Sequence, residues 1–122
     1  MAKSEGQVRS RKQEQRITRS LKEIGMQART QMASGSLWFA KSDVVSDLFQ
    51  IEAKTRAKAS KTMSIKKEWM DKIGQEAFEE GKLPALAFSF GDSTDYFVLK
   101  DQDFLALIEE LIELRKRGEQ DA

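Results

Sequence analysis

Residues 48–55 constrain the fold of this chain most, because their side chains alternate between apolar and polar along the sequence. Such alternation predicts a β-strand with two different faces, since successive side chains point to opposite sides of a sheet. One face of the strand carries Phe49, Ile51 and Ala53. The other face carries Gln50, Glu52 and Lys54. The segment therefore predicts one side turned to the core and one charged side, on which a carboxylate and an ammonium group lie close together.

Periodic segments around this strand predict an α/β protein. Hydrophobic residues at helical spacing predict helices over residues 11–28, 64–81 and 101–117, the first two capped by Ser10 and Ser64. Short strands are predicted over residues 37–40, from residue 43, and over residues 48–55, 85–90 and 96–99, the last two joined by a turn at 91–95. The order α-β-β-β-α-β-β-α predicts a single α/β sheet packed between helices.

A length of 122 residues with 39% hydrophobic residues suits one compact domain with a modest core. We expect the domain over residues 10–118, after a flexible basic tail at residues 1–9 and before a short tail at 119–122. The last helix has an apolar face wider than one sheet contact needs, which predicts core packing, with a subunit interface as the alternative. No apolar run approaches the roughly 20 residues of a membrane span, so a cytoplasmic protein is expected.

The chain contains no cysteine and no histidine, which removes several kinds of chemistry. Disulfides, cysteine nucleophiles and thiolate or imidazole zinc sites are excluded, and so are the Ser-His catalytic pair and histidine bases. Oxygen ligands remain. Carboxylates and carbonyls suit hard cations such as Mg²⁺ or Mn²⁺, which also bind phosphate esters.

The formal charge of +1 conceals separate basic and acidic regions. The first thirty residues and residues 54–72 are basic, whereas the acidic residues lie largely in the last third of the chain. Such segregation predicts one surface that faces a polyanion. The candidate DNA-binding residues in or next to these regions are Arg11, Lys12, Lys41, Arg56, Lys58 and Lys61.

A candidate site for phosphodiester hydrolysis combines Asp43 with the charged face of the strand at residues 48–55. Asp43 and Glu52 can supply two carboxylate ligands to a metal ion, and the backbone carbonyl of Ala53 a third. Lys54 would lie near the attacking water, where an ammonium group can position it or offset phosphate charge. The alternative is a solvated strand face with a structural ion pair between Glu52 and Lys54.

The loop Ser34-Gly35-Ser36 offers hydroxyl groups and close backbone approach to a phosphate. On composition alone, a plain turn is the better interpretation of this loop.

Taken in order, these motifs resemble the PD-(D/E)XK nucleases, and among them the small Holliday junction resolvases of archaeal and phage type. The resemblance runs from about residue 14 to residue 104 and includes a glutamate in the first helix, the Ser-Gly-Ser loop, Asp43, and Glu52-Ala53-Lys54. It also includes the helix that opens Ser64-Ile-Lys-Lys-Glu-Trp. The residue before the aspartate is commonly Pro or Gly in that family, whereas this chain has Ser42.

The resemblance implies a restriction-endonuclease-like mixed β-sheet flanked by helices, and it implies roles for particular residues. Asp43 and Glu52 would be metal ligands and Lys54 the catalytic lysine. Glu14 would enter the site from the first helix, with Glu23 as the competing choice. The serine loop would contact the scissile strand through Ser34 or Ser36, and Lys66 occupies a position that is often basic in related sequences.

The function implied is that of a Mg²⁺-dependent endonuclease that cuts four-way DNA junctions as a homodimer, in the host cytoplasm if the protein is phage-encoded. Mn²⁺ would substitute for Mg²⁺. One alternative is a nuclease of the same fold that acts on other branched or damaged DNA. The other is a non-catalytic basic DNA-binding module.

Overall fold

The structure, a computed structural model, describes residues 4–31 and 42–121. In chain order its elements are α1 (Glu5–Glu23), β1 (Ala28–Thr30), β2 (Val44–Ser46), β3 (Phe49–Thr55), α2 (Lys67–Glu79), β4 (Leu83–Ser89), β5 (Tyr96–Val98) and α3 (Asp101–Asp121). The order α-β-β-β-α-β-β-α and the α/β class are those predicted from the sequence.

The five strands of the described part of the chain form one mixed sheet in the order β1-β2-β3-β4-β5. Neighbouring strands are antiparallel except for β3 and β4, which are parallel and connected through α2. Their register pairs Glu52 with Leu86 and Lys54 with Phe88. The central position of β3 therefore places its charged residues in the middle of the sheet.

The two faces of the sheet are covered by different helices. On one face, Ile17 of α1 packs with a buried cluster of Val44, Ile51, Ala85 and Ala87. On the other face, α2 contacts β3 and β4 and buries Ile73 and Ala77. Cover on both faces explains the nearly continuous burial of β4, as the sequence predicted.

Helix α1 begins at Glu5, six residues before the start predicted behind Ser10. Ser4 caps it: its hydroxyl oxygen accepts from the amide of Gln7, and the Gln7 side chain accepts from the amide of Ser4. This reciprocal capping box satisfies two backbone N–H groups that would otherwise lack partners. Residues 5–9, which their composition assigned to a flexible tail, are therefore helical.

The helix also ends earlier than predicted, at Glu23, because Gly25 adopts a left-handed backbone with φ of 95°. Ala28, expected in the helix, instead begins β1, which pairs with β2. The strand predicted over residues 37–40 lies outside the described residues. The order of elements thus matches the prediction, although its first strand is β1.

Helix α2 begins at Lys67 and is not capped by Ser64. Lys66 occupies the N-cap position with an extended backbone, and no side chain caps the helix there. Ile65 and Phe78, both expected on the apolar face, are exposed, whereas Ile73 is buried as predicted. The helix turns the narrower stripe around Ile73 towards the sheet.

Helix α3 does not pack into the core, contrary to the prediction. Asp103 and Leu107 are half-buried, and every side chain of residues 108–120 is exposed. The helix touches the body of the protein through its first two turns and then projects away from it.

No helix in residues 4–31 or 42–121 combines the length and the apolar character that a membrane crossing requires.

We expect Ile73→Ala to lower the free energy of unfolding by about 2–5 kcal/mol, because it leaves a cavity between α2 and the sheet. Ile24→Ala is the matched control, since Ile24 is 77% exposed and Ile73 only 1%. Urea denaturation followed by circular dichroism measures both. Equal losses in the two variants would contradict the packing of α2 on the sheet.

Candidate active site

The β2–β3 hairpin brings Asp43 to the charged face of β3. Asp43 immediately precedes β2, and its amide donates to the carbonyl of Ile51 at 3.0 Å. Its Oδ2 accepts from the amide of Ala53 at 2.8 Å. Asp43 therefore lies beside the segment Glu52-Ala53, as the alternating pattern predicted.

Glu52 is buried, with 8% of its surface exposed. Its Oε2 lies 3.6 Å from Nζ of Lys54, which confirms that the two side chains share one face. Burial, followed by the charge of Asp43, raises the pKa of Glu52 from its ordinary value of 4.5 to about 7, while Lys72 and then Lys54 oppose the shift. The attraction of two lysines thus does not outweigh burial and like charge.

Glu14 reaches the same cluster from α1. Burial is the main reason that its pKa is raised from 4.5 to about 7, and the charges of Asp43 and Glu52 add to the shift. Arg11, one turn earlier, opposes it. Glu23 is exposed at the end of α1. Of the two glutamates that the sequence left open, the structure brings Glu14 to Asp43 and Glu52.

A clamp around Gln13 fixes α1 against the sheet. The buried Gln13 amide donates from Nε2 to the carbonyl of Lys54 at 2.9 Å, to Oδ1 of Asp95 at 3.2 Å and to the carbonyl of Ala87 at 3.5 Å. Arg16 donates two hydrogen bonds of 2.7 Å to Asp95. Because Gln13 adjoins Glu14 and bonds to the backbone of Lys54, the clamp positions two site residues together.

Helix α2 contributes an aromatic surface for the lysine. Nζ of Lys54 lies 4.7 Å from the ring centroid of Trp69, and Nζ of Lys66 lies 5.8 Å from it. An ammonium group over an indole face is attracted by the ring quadrupole. Trp69 and Glu52 together hold the Lys54 side chain in one place.

A second polar chain links α2 to the residue before Asp43. Ser42 donates to Oε2 of Glu76 at 3.0 Å and accepts from Nε2 of Gln50 at 3.2 Å. Lys72 lies 3.9 Å from the other carboxylate oxygen of Glu76. Ser42 has a left-handed backbone with φ of 69°, a conformation that glycine adopts without strain. These hydrogen bonds hold a serine where a glycine would fit more easily.

The sequence did not identify Gln13, Trp69, Lys72 or Glu76 as part of the site. Their side chains contact elements that are far apart in the chain, so no local spacing of residues predicts these contacts. A glutamine and a glutamate on the buried stripe of an amphipathic helix were the available signal, because buried polar groups need partners.

The candidate DNA-binding residues fall into three groups. Ser34, Ser36 and Lys41 lie outside the described residues. Six others are exposed on α1, in the connection that follows β3 and just before α2: Arg11, Lys12, Arg56, Lys58, Lys61 and Lys66. Beside them, a cleft next to the end of β3 is lined by Arg9, Lys12, Arg16 and Thr55.

The donor groups fit a hard divalent cation. No group of three acidic side chains close enough to hold a metal ion occurs in residues 4–31 and 42–121. Asp43 and Glu52 nevertheless supply two carboxylates next to the backbone of Ala53, and burial and the charge of Asp43 raise the pKa of Glu52. A cation beside them would relieve that repulsion. The ligand set expected from the sequence, two carboxylates and the carbonyl of Ala53, stays a prediction.

We expect Glu52→Gln to raise the melting temperature in EDTA at pH 8, on the order of 5 °C. A carboxyl group whose folded pKa is raised from 4.5 to about 7 contributes stability below pH 4.5 and loses it as the pH rises through 7. The amide carries no such cost at pH 8, so the variant and the natural chain should converge towards pH 4.5.

Glu23→Gln is the control for this titration, because Glu23 is exposed and remote from the cluster. Thermal melts between pH 4.5 and 8 measure all three proteins. A Glu52→Gln melting curve that follows the natural chain at every pH would contradict the electrostatic coupling of Glu52 to Asp43.

Comparison with known proteins gives matches among solved structures. No protein-family model and no curated protein matches the sequence. The 1.6 Å structure of Hjc, a Holliday junction resolvase from the archaeal hyperthermophile Archaeoglobus fulgidus, is similar with a TM-score of 0.58. The alignment covers 72% of this chain and 74% of that chain at 18% sequence identity. The resemblance to small archaeal resolvases is thus confirmed for the fold, which this chain shares with Hjc.

Proposed function

We propose that this chain is a metal-dependent endonuclease that cuts branched DNA, with four-way junctions as its substrate. The observation that carries the proposal is the convergence of Asp43, Glu52, Glu14 and Lys54 at one place on a sheet of the resolvase fold. A resolvase of similar structure supports the class of substrate.

The metal site would consist of Asp43, Glu52 and the carbonyl of Ala53, with Glu14 near it on α1. Mg²⁺ is the expected ion, and Mn²⁺ should substitute for it. When bound, such an ion supplies a Lewis acid and lowers the pKa of water. The carboxylates would hold the ion, and the raised pKa of Glu52 indicates that this side chain would gain from the charge of the ion.

Lys54 would position the attacking water and offset negative charge on the phosphate. Its ammonium group lies between Glu52 and the ring of Trp69, so the side chain is already ordered before substrate binds. The Gln13 clamp fixes the backbone of the same residue. A chain without histidine has in Lys54 a cation suited to this role.

DNA would be held by the exposed cations on α1 and after β3. Lys12 lines the cleft beside the end of β3, and Arg56, Lys58 and Lys61 follow that strand directly. Lysine and arginine contacts to phosphate give affinity without sequence preference. Contacts from Ser34 or Ser36, Lys41 and Lys66 remain predictions from the sequence.

A homodimer suits the proposed reaction. Resolving a four-way junction requires two symmetric nicks, and a two-fold dimer presents two sites to a substrate of matching symmetry.

A non-catalytic DNA-binding module is the weaker alternative. In that case Glu52 and Lys54 would form a structural ion pair, which lowers the pKa of the carboxyl group. Burial and Asp43 instead raise the pKa of Glu52 despite Lys54. The charged form of Glu52 therefore lowers the stability of the folded protein, which supports a site that binds a cation.

The proposal is tested with a plasmid-borne cruciform and a synthetic four-way junction, each incubated with Mg²⁺. We expect paired symmetric nicks that disappear in EDTA. Asp43→Asn and Glu52→Gln should each lower the rate by about 100-fold or more while junction binding in Ca²⁺ persists. Unchanged cutting by both variants would overturn the site, and equal cutting of linear duplex would overturn the choice of substrate.

Glu14→Gln and Glu23→Gln form a matched pair within the same experiment. Only the first should lower the cutting rate, because only Glu14 lies near Asp43 and Glu52. Equal rates for the two variants would remove Glu14 from the site.

Junction affinity should fall steeply with salt, because binding of lysine and arginine to phosphate releases counterions. Lys58→Ala combined with Lys61→Ala should reduce the slope of log K against log salt by about 0.9 for each phosphate group that the variant no longer neutralises. The combination of Lys82→Ala and Lys100→Ala is the control of equal charge, since Lys82 precedes β4 and Lys100 follows β5 at the end of the sheet remote from Lys54. Fluorescence anisotropy gives both slopes, and equal slopes would contradict the assigned DNA surface.

A further inference from the structure

We propose that two copies of this chain associate through the apolar face of α3, with the two helices antiparallel about a two-fold axis. The inference rests on the proposed function in one respect alone, which is that cutting a four-way junction requires a dimer. Its surface and orientation follow from the exposure, size and charge of α3.

The apolar face of α3 consists of six large side chains that the body of the protein leaves exposed. They recur three, four and seven residues apart, so they share about half of the helix circumference. Their exposed fractions lie between 37% and 60%. They are Phe104, Leu105, Ile108, Leu111, Ile112 and Leu114.

An isolated helix of this kind lacks the support that helices normally need. Residues 108–120 are exposed throughout, so packing within the described part of the chain does not stabilise the last three turns. Helices of this length are marginal in water, and most of their stability in proteins comes from burying an apolar face. Continuous exposed apolar surface of this kind marks an interaction site.

The face is large enough for a specific interface. Each of its six side chains exposes on the order of 100 Å², which gives on the order of 600 Å² per copy. Two copies would bury about 1,200 Å², the lower end of the range for stable protein–protein interfaces. The apolar face of α3 therefore supplies enough buried area for a stable interface when its partner surface is equally long.

The charges of α3 select a second copy as that surface. The charged residues in the first part of α3 are all acidic, and its later part contains the basic run Arg115-Lys116-Arg117. Asp101 and Asp103 are the acidic residues at the start of α3, Glu109, Glu110 and Glu113 lie near its middle, and Glu119 and Asp121 follow the basic run. Antiparallel packing places the acidic start of one helix beside the basic run of the other and opposes the helix dipoles. Parallel packing would set like charges side by side.

Centring the antiparallel pair on the apolar face sets its register. The two-fold axis then passes between Ile108 and Leu111, so each Ile108 faces Leu111 of the other copy. Phe104 of one copy lies opposite Arg115 of the other. An isologous arrangement of this kind closes on itself, and so produces a dimer rather than a filament.

Sedimentation equilibrium of the full chain tests the interface. We expect a mass of twice the 13.9 kDa of one chain at micromolar concentration. Leu111→Glu should raise the dissociation constant more than about 30-fold, because it places two charges in the centre of the interface. Ala106→Glu, on the exposed polar side of α3, should leave the dimer intact. A monomeric natural chain, or a dimer that survives Leu111→Glu, would overturn the proposal.

Cysteine cross-linking tests the orientation without relying on dissociation of the dimer. The chain has no cysteine, so single substitutions report one position each. A mixture of Phe104→Cys and Arg115→Cys proteins should form a disulfide-linked heterodimer on mild oxidation, while each alone should not cross-link. Cross-linking of Phe104→Cys with itself would indicate parallel helices, and the absence of any cross-link in the mixture would equally reject the register.

The cruciform assay separates this inference from the proposed function. If both hold, the natural chain linearises a cruciform plasmid, whereas Leu111→Glu releases nicked circles because its two cuts are no longer coupled. A dimer without nuclease activity would support the α3 interface and contradict the proposed nuclease function. A monomer that cuts DNA would support the nuclease function and contradict the α3 interface.

Discussion

The hydrogen bond from the amide of Ala53 to Asp43 is the contact on which the charged site depends. It closes the β2–β3 hairpin and brings two carboxylates together on a strand buried by α2. Once these groups share one place, desolvation and repulsion raise the pKa of Glu52 to about 7. The fold thus stores unfavourable electrostatic energy that hydrophobic packing must offset, an arrangement more typical of functional sites than of structural ion pairs.

Long-range hydrogen bonds turn this cluster into a defined geometry. Asp95 follows β4, yet it binds both Gln13 and Arg16 of α1 and so holds Glu14 over the sheet. From the opposite face, Trp69 of α2 holds the ammonium group of Lys54. The sheet contributes the carboxylates, and the helix on each face contributes the contacts that orient them.

The sequence predicted those features that depend on local pattern. Alternation identified β3 and β4, and with the turn before β3 it placed Asp43 beside Glu52. It failed where a contact outside the periodic pattern decides: Ser4 and Gln7 begin α1 before the apolar stripe starts. Of the two interpretations of α3, core packing was wrong, because an apolar helix face has the same period whether it packs on its own sheet or on another molecule. The Gln13 clamp was not predicted, because its partners lie far away in the chain.

The left-handed backbone of Ser42 shows how the site is joined to the rest of the molecule. Glycine would relax the backbone at this position but would remove the hydroxyl group that binds Gln50 and Glu76. The strain is tolerated because one side chain connects the hairpin to α2. In consequence, α2 and the hairpin should open together rather than one at a time, and they form one cooperative unit of local unfolding. The carboxylates are thereby as rigid as the core beneath them.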